Sequence, residues 1–167
     1  MTDKNVSIMN IGSMGYLPQV FKKIENEKKL NIVYLGGSIT MGCNATKTEL
    51  RYVDRSAKWW QTNFPDAEIS YFNAGIGATT SQFGVARVQE HVLDKQPDLV
   101  FVEFSVNDSS SPLFMETYES LVRRLLKAES VKAVVLINNL FYDTGTNAQG
   151  IHLSLIHISE PTRLQLI

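Results

Sequence analysis

The chain has 167 residues, of which 44% are hydrophobic and 20% are charged, and its formal net charge is -1 from 16 basic and 17 acidic side chains. This length and composition are ordinary for one globular domain with a hydrophobic core. The balanced charge provides no basic surface for nucleic acid or for an anionic membrane, so we expect neither as a partner.

Cysteine and histidine are too few to predict a disulfide framework or a metal centre. Cys43 is the only cysteine, so no intrachain disulfide can form, and the three histidines are widely spaced. Zinc sites need clustered ligands, so no metal or other cofactor is expected. The N-terminal region lacks the apolar core of a signal peptide, and no apolar run is long enough to span a membrane. These features predict a cytoplasmic location.

Strand-like and helix-like segments alternate along the chain. The predicted elements are a helix at 17–26, a strand at 31–36, a polar loop at 43–49, a helix at 50–64, a strand at 68–73, a helix from 81 that ends before 97, a strand at 99–104, a helix at 112–126, a strand at 131–137 and a loop at 143–147. The helices carry apolar residues three and four apart, and the strands are short β-branched or aromatic runs. Pro18 suits a first helical turn, Ser81 is expected to cap a helix, and Ser111 before Pro112 is a typical helix start.

This alternation predicts a three-layer α/β/α domain, with a parallel sheet covered by helices on both faces. Because crossover connections are almost always right-handed, we expect the flavodoxin-like strand order 2-1-3-4. A fifth strand is expected to be missing from the chain. The first strand is then central, and its carboxyl end lies at the topological switch point, where open α/β sheets bind ligands.

Small and polar residues follow three of the predicted strands. Gly36-Gly37-Ser38-Ile39-Thr40 follows the first strand, Asn73–Ala78 the second, and Ser105–Asp108 the third. Each segment by itself is also what a tight turn or a helix cap looks like. Together, at one edge of a parallel sheet, a serine, a glycine-rich turn and an asparagine predict a nucleophile with an oxyanion hole.

In order and spacing, these segments resemble the first three sequence blocks of the SGNH (GDSL-type) hydrolases, over about residues 31–140. Gly37 stands where the family usually has aspartate, as in a Gly-Gly-Ser branch often linked to carbohydrate deacetylation. Ser105 stands where glycine is usual. The resemblance implies a serine ester hydrolase that removes acyl groups, acetyl among them, from a carbohydrate or a similar small ester.

The resemblance also implies roles for individual residues. Ser38 is the acyl nucleophile, and its own backbone N–H forms part of the oxyanion hole. A backbone N–H of the second block and the Asn107 side-chain amide complete the hole. Sequence register leaves Gly77 and Ala78 both open as the second-block donor, and we prefer Gly77.

The general base of this family is a histidine in an Asp-x-x-His block, and no such block occurs in the sequence. His91 falls inside a predicted crossover helix, and His152 and His157 follow no suitably placed aspartate. The chain is therefore expected to carry the nucleophile and the oxyanion hole without the base, and to be weakly active or inactive.

The C-terminal segment is expected to be foreign to the fold. Residues 153–163 read Leu-Ser-Leu-Ile-His-Ile-Ser-Glu-Pro-Thr-Arg, which resembles the translation of a transposase sequencing adapter. We therefore expect residues 1–152 to form an SGNH-hydrolase-like domain that is incomplete at its C-terminus. Residues 153–167 are expected to be a non-native tail.

Two other function classes use the same kind of sheet. A nucleotide-binding module would bind at the same edge, but Gly36–Gly42 matches neither Gly-x-Gly-x-x-Gly nor a Walker loop. The Gly-x-Ser-x-Gly motif around the nucleophile of α/β-hydrolases is also not matched around Ser38, because position 40 is threonine. A non-catalytic carbohydrate-binding domain stays open because the histidine block is missing.

Several further residues have a structural interpretation. Trp59 and Trp60 are expected to provide helix surface and core packing rather than a sugar platform. Arg87 is expected to be a structural ion-pair partner, and Asn138 with Asn139 to start an ordinary loop.

Overall fold

The computed structural model describes residues 15–109 and 111–139 of the chain. The helices are α1 (Leu17–Glu27), α2 (Ser38–Met41), α3 (Tyr52–Asn63), α4 (Ser81–His91) and α5 (Pro112–Leu126), and the strands are β1 (Lys29–Gly36), β2 (Glu68–Gly75), β3 (Leu99–Glu103) and β4 (Ala133–Leu136). Two short 3-10 helices cover Thr48–Leu50 and Leu93–Lys95. The predicted loop at 143–147 and the expected tail at 153–167 lie outside the described residues.

The four strands form one parallel sheet in the order β2-β1-β3-β4, which confirms the predicted topology. At the carboxyl end of β1, Gly36 pairs with Gly75 of β2 on one side and with Glu103 of β3 on the other. Three strands therefore end level with one another. The segments that follow them leave the sheet at one edge, as the sequence predicts.

Helices cover both faces of the sheet, because each strand of a parallel sheet buries side chains on both sides. One face packs against α4 and α5, with Val33, Leu35, Val100, Val102, Val88 and Leu121 in its core. The other face packs against α1 and α3, with Ile32, Tyr34, Leu99, Val20, Ile24 and Trp60. The alternating residues of β1 thus enter two separate cores, and this central strand is fixed from both sides.

Some element boundaries differ from the prediction. β2 continues beyond its predicted end at residue 73, through Ala74 to Gly75, because its pairing with β1 extends to the end of that strand. β4 is limited to Ala133–Leu136, and only Ala133 is buried while the residues after it are half-buried. The described edge of the sheet at β4 is therefore less enclosed than the apolar sequence indicates.

The helix predicted at 50–64 begins later, at Tyr52, because Arg51 has an extended backbone and serves as the N-cap. Leu50 lies in a 3-10 turn and is 50% exposed, so it is not part of the helix's apolar face. The predicted places of the tryptophans are confirmed: Trp60 is 6% exposed in the core, and Trp59 is 52% exposed on the helix surface. That Trp59 is no sugar platform stays a prediction.

The predicted cap at Ser81 is wrong. Thr80 is the N-cap of α4, and Ser81 is the first helical residue. The Ser81 hydroxyl lies 2.7 Å from that of Thr117, so it joins α4 to α5 instead of capping its own helix. The expected place of Pro18 in the first turn of α1 and that of Ser111 as the N-cap before Pro112 are confirmed. Within 15–109 and 111–139, none of the helices combines the length and the hydrophobicity that a membrane span requires.

Candidate active site

Ser38 lies immediately beyond the central strand, as the first residue of α2. The Gly37 N–H donates to the Glu103 carbonyl at 3.2 Å, which keeps the chain attached to β3 as it leaves the sheet. The Ser38 carbonyl accepts from the N–H groups of Gly42 and Cys43 at 3.0 and 2.9 Å. Ser38 is half-buried, and its backbone is fixed at the sheet edge by these hydrogen bonds.

The turn after β2 packs directly on α2. The Ile76 N–H donates to the Gly36 carbonyl at 3.1 Å, and a Cβ on Gly75 would collide with the backbone of Met41. Ala78 has φ 56, in the left-handed region that favours glycine. Gly77 faces the Met41 side chain, whose Cε would lie 3.3 Å from an added Cβ. Both candidate second-block donors therefore lie in a turn that contacts the Ser38 helix.

Asn107 lies in the turn after β3, where its own N–H and that of Asp108 donate to the Phe104 carbonyl at 3.0 and 2.9 Å. Its side chain packs against Gly37, because a Cβ built there would stand 2.8 Å from Asn107 Oδ1 and 3.3 Å from the Thr79 carbonyl. Residues of the first and third predicted segments thus meet around Gly37, the neighbour of Ser38, together with Thr79, which directly follows the second segment. The buried Asn107 Oδ1 has no hydrogen-bond partner among the described residues.

Asp108 connects two of these segments. Its Oδ1 accepts the Ser81 N–H at 2.9 Å, at the first turn of α4. Its other carboxylate oxygen is buried with no hydrogen-bond partner among the described residues, and burial raises the pKa of this carboxyl. The Asp108 side chain therefore joins the turn that carries Asn107 to the helix that follows Ala78.

Glu103 is a fully buried carboxyl that the sequence analysis did not single out, although an acidic residue at the end of an apolar strand was the available signal. The Thr40 and Ser105 hydroxyls each lie 3.4 Å from its carboxylate oxygens. Burial raises its pKa. The Ser105 hydroxyl also accepts the Asn139 N–H at 2.8 Å. The serine at this position of the third block therefore connects the ends of β3 and β4.

The expectation that Arg87 is an ion-pair partner is wrong for the part of the chain that the structure describes. No carboxylate pairs with it there. Instead its Nη1 donates to the Ala74 carbonyl at 2.6 Å and its Nη2 to the Gly36 carbonyl at 3.0 Å. The sequence alone could not predict these hydrogen bonds, because every residue has a backbone carbonyl and residue type does not show which carbonyl is bound.

The remaining candidates lie elsewhere. His91 ends α4, and its Nδ1 lies 3.3 Å from Arg87 Nη1. Cys43 is a free, exposed thiol. Within 15–109 and 111–139 no group of three or more His, Cys, Asp or Glu side chains is placed to hold a metal ion. His152 and His157 lie outside the described residues.

A parallel sheet with a serine at the end of its central strand, and an asparagine turn packed beside it, is the arrangement of an SGNH-type hydrolase domain. The chain belongs to the GDSL-like lipase/acylhydrolase family, whose model matches residues 34–155. No curated protein sequence matches the chain.

Solved structures show the same relationship. The chain is similar to a two-domain esterase (CEX) active on acetylated mannans, with 46% identity and a TM-score of 0.85 over 92% of this chain and 41% of that one. The same esterase co-crystallised with mannopentaose gives 46% identity, a TM-score of 0.86 and coverage of 93% and 42%. The chain thus spans about two fifths of that esterase.

More distant structures share the fold. The acetylxylan esterase Axe2 from Geobacillus stearothermophilus has 21% identity and a TM-score of 0.61, over 80% of this chain and 73% of that one. The SGNH-hydrolase family esterase AlinE4 has 19% identity and a TM-score of 0.62, over 78% and 71%.

Proposed function

We propose that this chain is the nucleophile-bearing part of a serine esterase that removes acyl groups, acetyl above all, from a carbohydrate. The main structural support for this proposal is the packing around Gly37: the Asn107 side chain lies against Gly37, the residue next to Ser38. The substrate class is supported by the 46% identity to an esterase active on acetylated mannans.

In the proposed reaction, Ser38 Oγ attacks the acyl carbonyl carbon and gives up its proton to a base. The resulting tetrahedral oxyanion expels the sugar oxygen, which takes up a proton and leaves as the alcohol. Water then hydrolyses the acyl-serine ester, releasing the carboxylic acid and restoring Ser38. A serine hydroxyl is a poor nucleophile without a base, so the first step depends most on proton transfer.

The proposed oxyanion donors are the Ser38 N–H, the N–H of Gly77 or Ala78, and the Asn107 side-chain amide. Donors fixed before the reaction stabilise the developing charge without having to reorganise. Removing one typically costs roughly 3–4 kcal/mol of transition-state stabilisation. The contacts that fix these groups are backbone hydrogen bonds and the packing on Gly37 and Met41 described above.

The mechanism needs a base that accepts the serine proton. The sequence contains no Asp-x-x-His block that would supply it. His91, the only histidine in the described part of the chain, is engaged with Arg87 on α4. The proposal therefore assigns to this chain the nucleophile and the oxyanion donors, and expects slow turnover.

The direct test is covalent labelling of the purified chain with a fluorophosphonate, followed by intact mass and peptide mapping. With imidazole added to accept the serine proton, the reagent should label Ser38, because the serine oxygen displaces fluoride from phosphorus. Ser38→Ala should abolish the labelling, and Asn107→Ala should slow it by about 100- to 1,000-fold. Labelling spread over several surface serines, with no dependence on Asn107, would contradict the proposal.

The missing histidine block favours a second candidate, a non-catalytic carbohydrate-binding domain. Calorimetric titration with unacetylated and acetylated manno-oligosaccharides distinguishes the two. Tight binding of both sugars by a chain whose Ser38 cannot be labelled would favour the binding domain over the esterase.

A further inference from the structure

Arg87 reaches from α4 to the ends of two neighbouring strands. Its side chain lies in the interior, with the residue 5% exposed. One terminal nitrogen donates to Ala74 of β2 and the other to Gly36 of β1. In the sheet register Ala74 pairs with Leu35 and Gly36 with Gly75, so the two carbonyls are offset by one residue. The guanidinium therefore spans the boundary between β1 and β2.

Both carbonyls lie near the start of a segment of the candidate site. Gly36 is followed by Gly37 and Ser38, and its carbonyl also accepts the Ile76 N–H at 3.1 Å. Ala74 is followed by Gly75 and the turn that contains Gly77 and Ala78. A group bound to both carbonyls thus restrains the points from which the two segments leave the sheet.

The chemistry of a guanidinium suits this position. It carries its donors in a rigid planar fork, so two acceptors can be held at a fixed separation. Burial lowers the pKa of Arg87 to about 10, so the side chain still carries its charge at neutral pH. A buried charge is costly, and an apolar side chain would fill the space with less desolvation. The gain from arginine here is therefore the pair of hydrogen bonds.

The surroundings keep the fork oriented. The Arg87 Cζ lies 5.7 Å from the centre of the Phe83 ring, one turn earlier on α4. The Nδ1 atom of His91, one turn later on α4, lies 3.3 Å from Arg87 Nη1. The guanidinium is thus packed between residues of its own helix while its two terminal nitrogens bond the sheet carbonyls; its buried Nε has no hydrogen-bond partner among the described residues.

From this arrangement we propose that Arg87 is a positioning residue for the ester hydrolysis: by holding the Gly36 and Ala74 carbonyls together, it sets the distance between Ser38 and the turn of Gly77 and Ala78. This inference rests on the proposed function. It assigns Arg87 no contact with the substrate and no proton transfer.

The test compares Arg87→Met, Arg87→Lys and a matched control, Arg124→Met. Arg124 is an exposed arginine on α5 whose Nη2 bonds the side chain of Gln89. The first readout is the rate of fluorophosphonate labelling of Ser38. Arg87→Met should slow it by about 10- to 100-fold, since a misplacement of about 1 Å can cost that much. Arg87→Lys should recover part of the rate, and Arg124→Met should leave it unchanged.

The second readout is amide hydrogen exchange, measured where every variant is folded. Peptides covering 36–43 and 75–80 should exchange faster in Arg87→Met, while the β3 peptide at 99–103 should not. Uniformly faster exchange over all three peptides would mean that Arg87 only stabilises the fold, and would overturn the inference. Labelling at the wild-type rate in a folded Arg87→Met variant would also overturn it.

The two proposals can fail separately. If Ser38 of the wild-type chain is not labelled even with added imidazole, the proposed function fails, and hydrogen exchange alone decides whether Arg87 fixes the two segments. If Arg87→Met does not fold, the comparison of Arg87→Lys with Arg87→Gln replaces it. The Gln amide nitrogen stands at the position of Arg Nε, two atoms short of the nitrogens that bond the carbonyls, whereas Lys Nζ is one atom short. The inference therefore requires slower labelling in Gln than in Lys, and equal rates would contradict it.

Discussion

The Asp108 carboxylate accepts a hydrogen bond from the backbone N–H of Ser81 at 2.9 Å, which joins the turn after β3 to the first residue of α4. These residues are far apart in sequence, and each flanks a segment assigned to the oxyanion hole. Together with Arg87, which joins β1 to β2, this bond fixes three strand ends relative to one another.

Asp108→Ala should destabilise the chain, because it leaves the buried Ser81 N–H without an acceptor. The expected loss is about 1–3 kcal/mol, the usual cost of a buried unsatisfied donor. Asp108→Asn keeps an acceptor oxygen and should lose much less. Urea denaturation of both variants at neutral pH checks this, and equal losses in the two would show that the hydrogen bond contributes little.

Gly37→Ala should destabilise the chain and slow Ser38 labelling. The new Cβ would stand 2.8 Å from Asn107 Oδ1 and 3.3 Å from the Thr79 carbonyl, so a candidate oxyanion donor must move. Overpacking of this kind typically costs about 1–3 kcal/mol. Gly77→Ala is the matched control for stability, because its Cβ meets only the flexible Met41 side chain. The prediction fails if thermal denaturation shows that Gly77→Ala is the more damaging change.

Glu103→Gln should change how stability depends on pH. Burial raises the pKa of Glu103, so above the ordinary carboxyl pKa the folded chain holds a proton that the unfolded chain has lost. Stability is therefore present in full below the unfolded pKa and falls as pH rises through the window up to the folded pKa. Glutamine cannot ionise, so the variant should lack the part of the decrease in stability with rising pH that Glu103 causes. Urea midpoints between pH 4 and pH 8, compared with wild type, measure it. A steeper fall in Glu103→Gln would be incompatible with this account.

The chain should be a very weak esterase or none at all on p-nitrophenyl acetate, because loss of the general base removes several orders of magnitude of turnover. Added imidazole should then speed fluorophosphonate labelling of Ser38, since it can accept the serine proton. Ser38→Ala gives the background. Fast Ser38-dependent turnover that does not respond to imidazole would show that the chain already contains a base.

Deleting residues 153–167 should leave the melting temperature unchanged or raised, because this segment has no pattern that would complete the sheet. Differential scanning calorimetry of the full and shortened chains is the measurement. A clearly lower melting temperature after the deletion would show that these residues belong to the fold.

The sequence alone determined the topology and the placement of the candidate site. Short apolar strands that alternate with amphipathic helices predict a parallel sheet. Right-handed crossover connections then restrict the order of the strands. Ser38 and Asn107 could be predicted to lie near one another because each belongs to the segment that follows a strand, and the ends of neighbouring parallel strands share an edge. These inferences need only local patterns and chain connectivity.

Only the tertiary structure decided which groups hold that edge together. The partners of Arg87 are carbonyls of two strands, the partner of Asp108 is a backbone N–H of another helix, and Ser105 bonds the backbone of Asn139. Every residue except proline offers a backbone donor, and every residue offers a carbonyl, so residue type cannot predict such pairs. They depend on how helices pack on the sheet, which also made Glu103 a buried acid and Arg87 a buried cation that bonds carbonyls rather than an acidic partner.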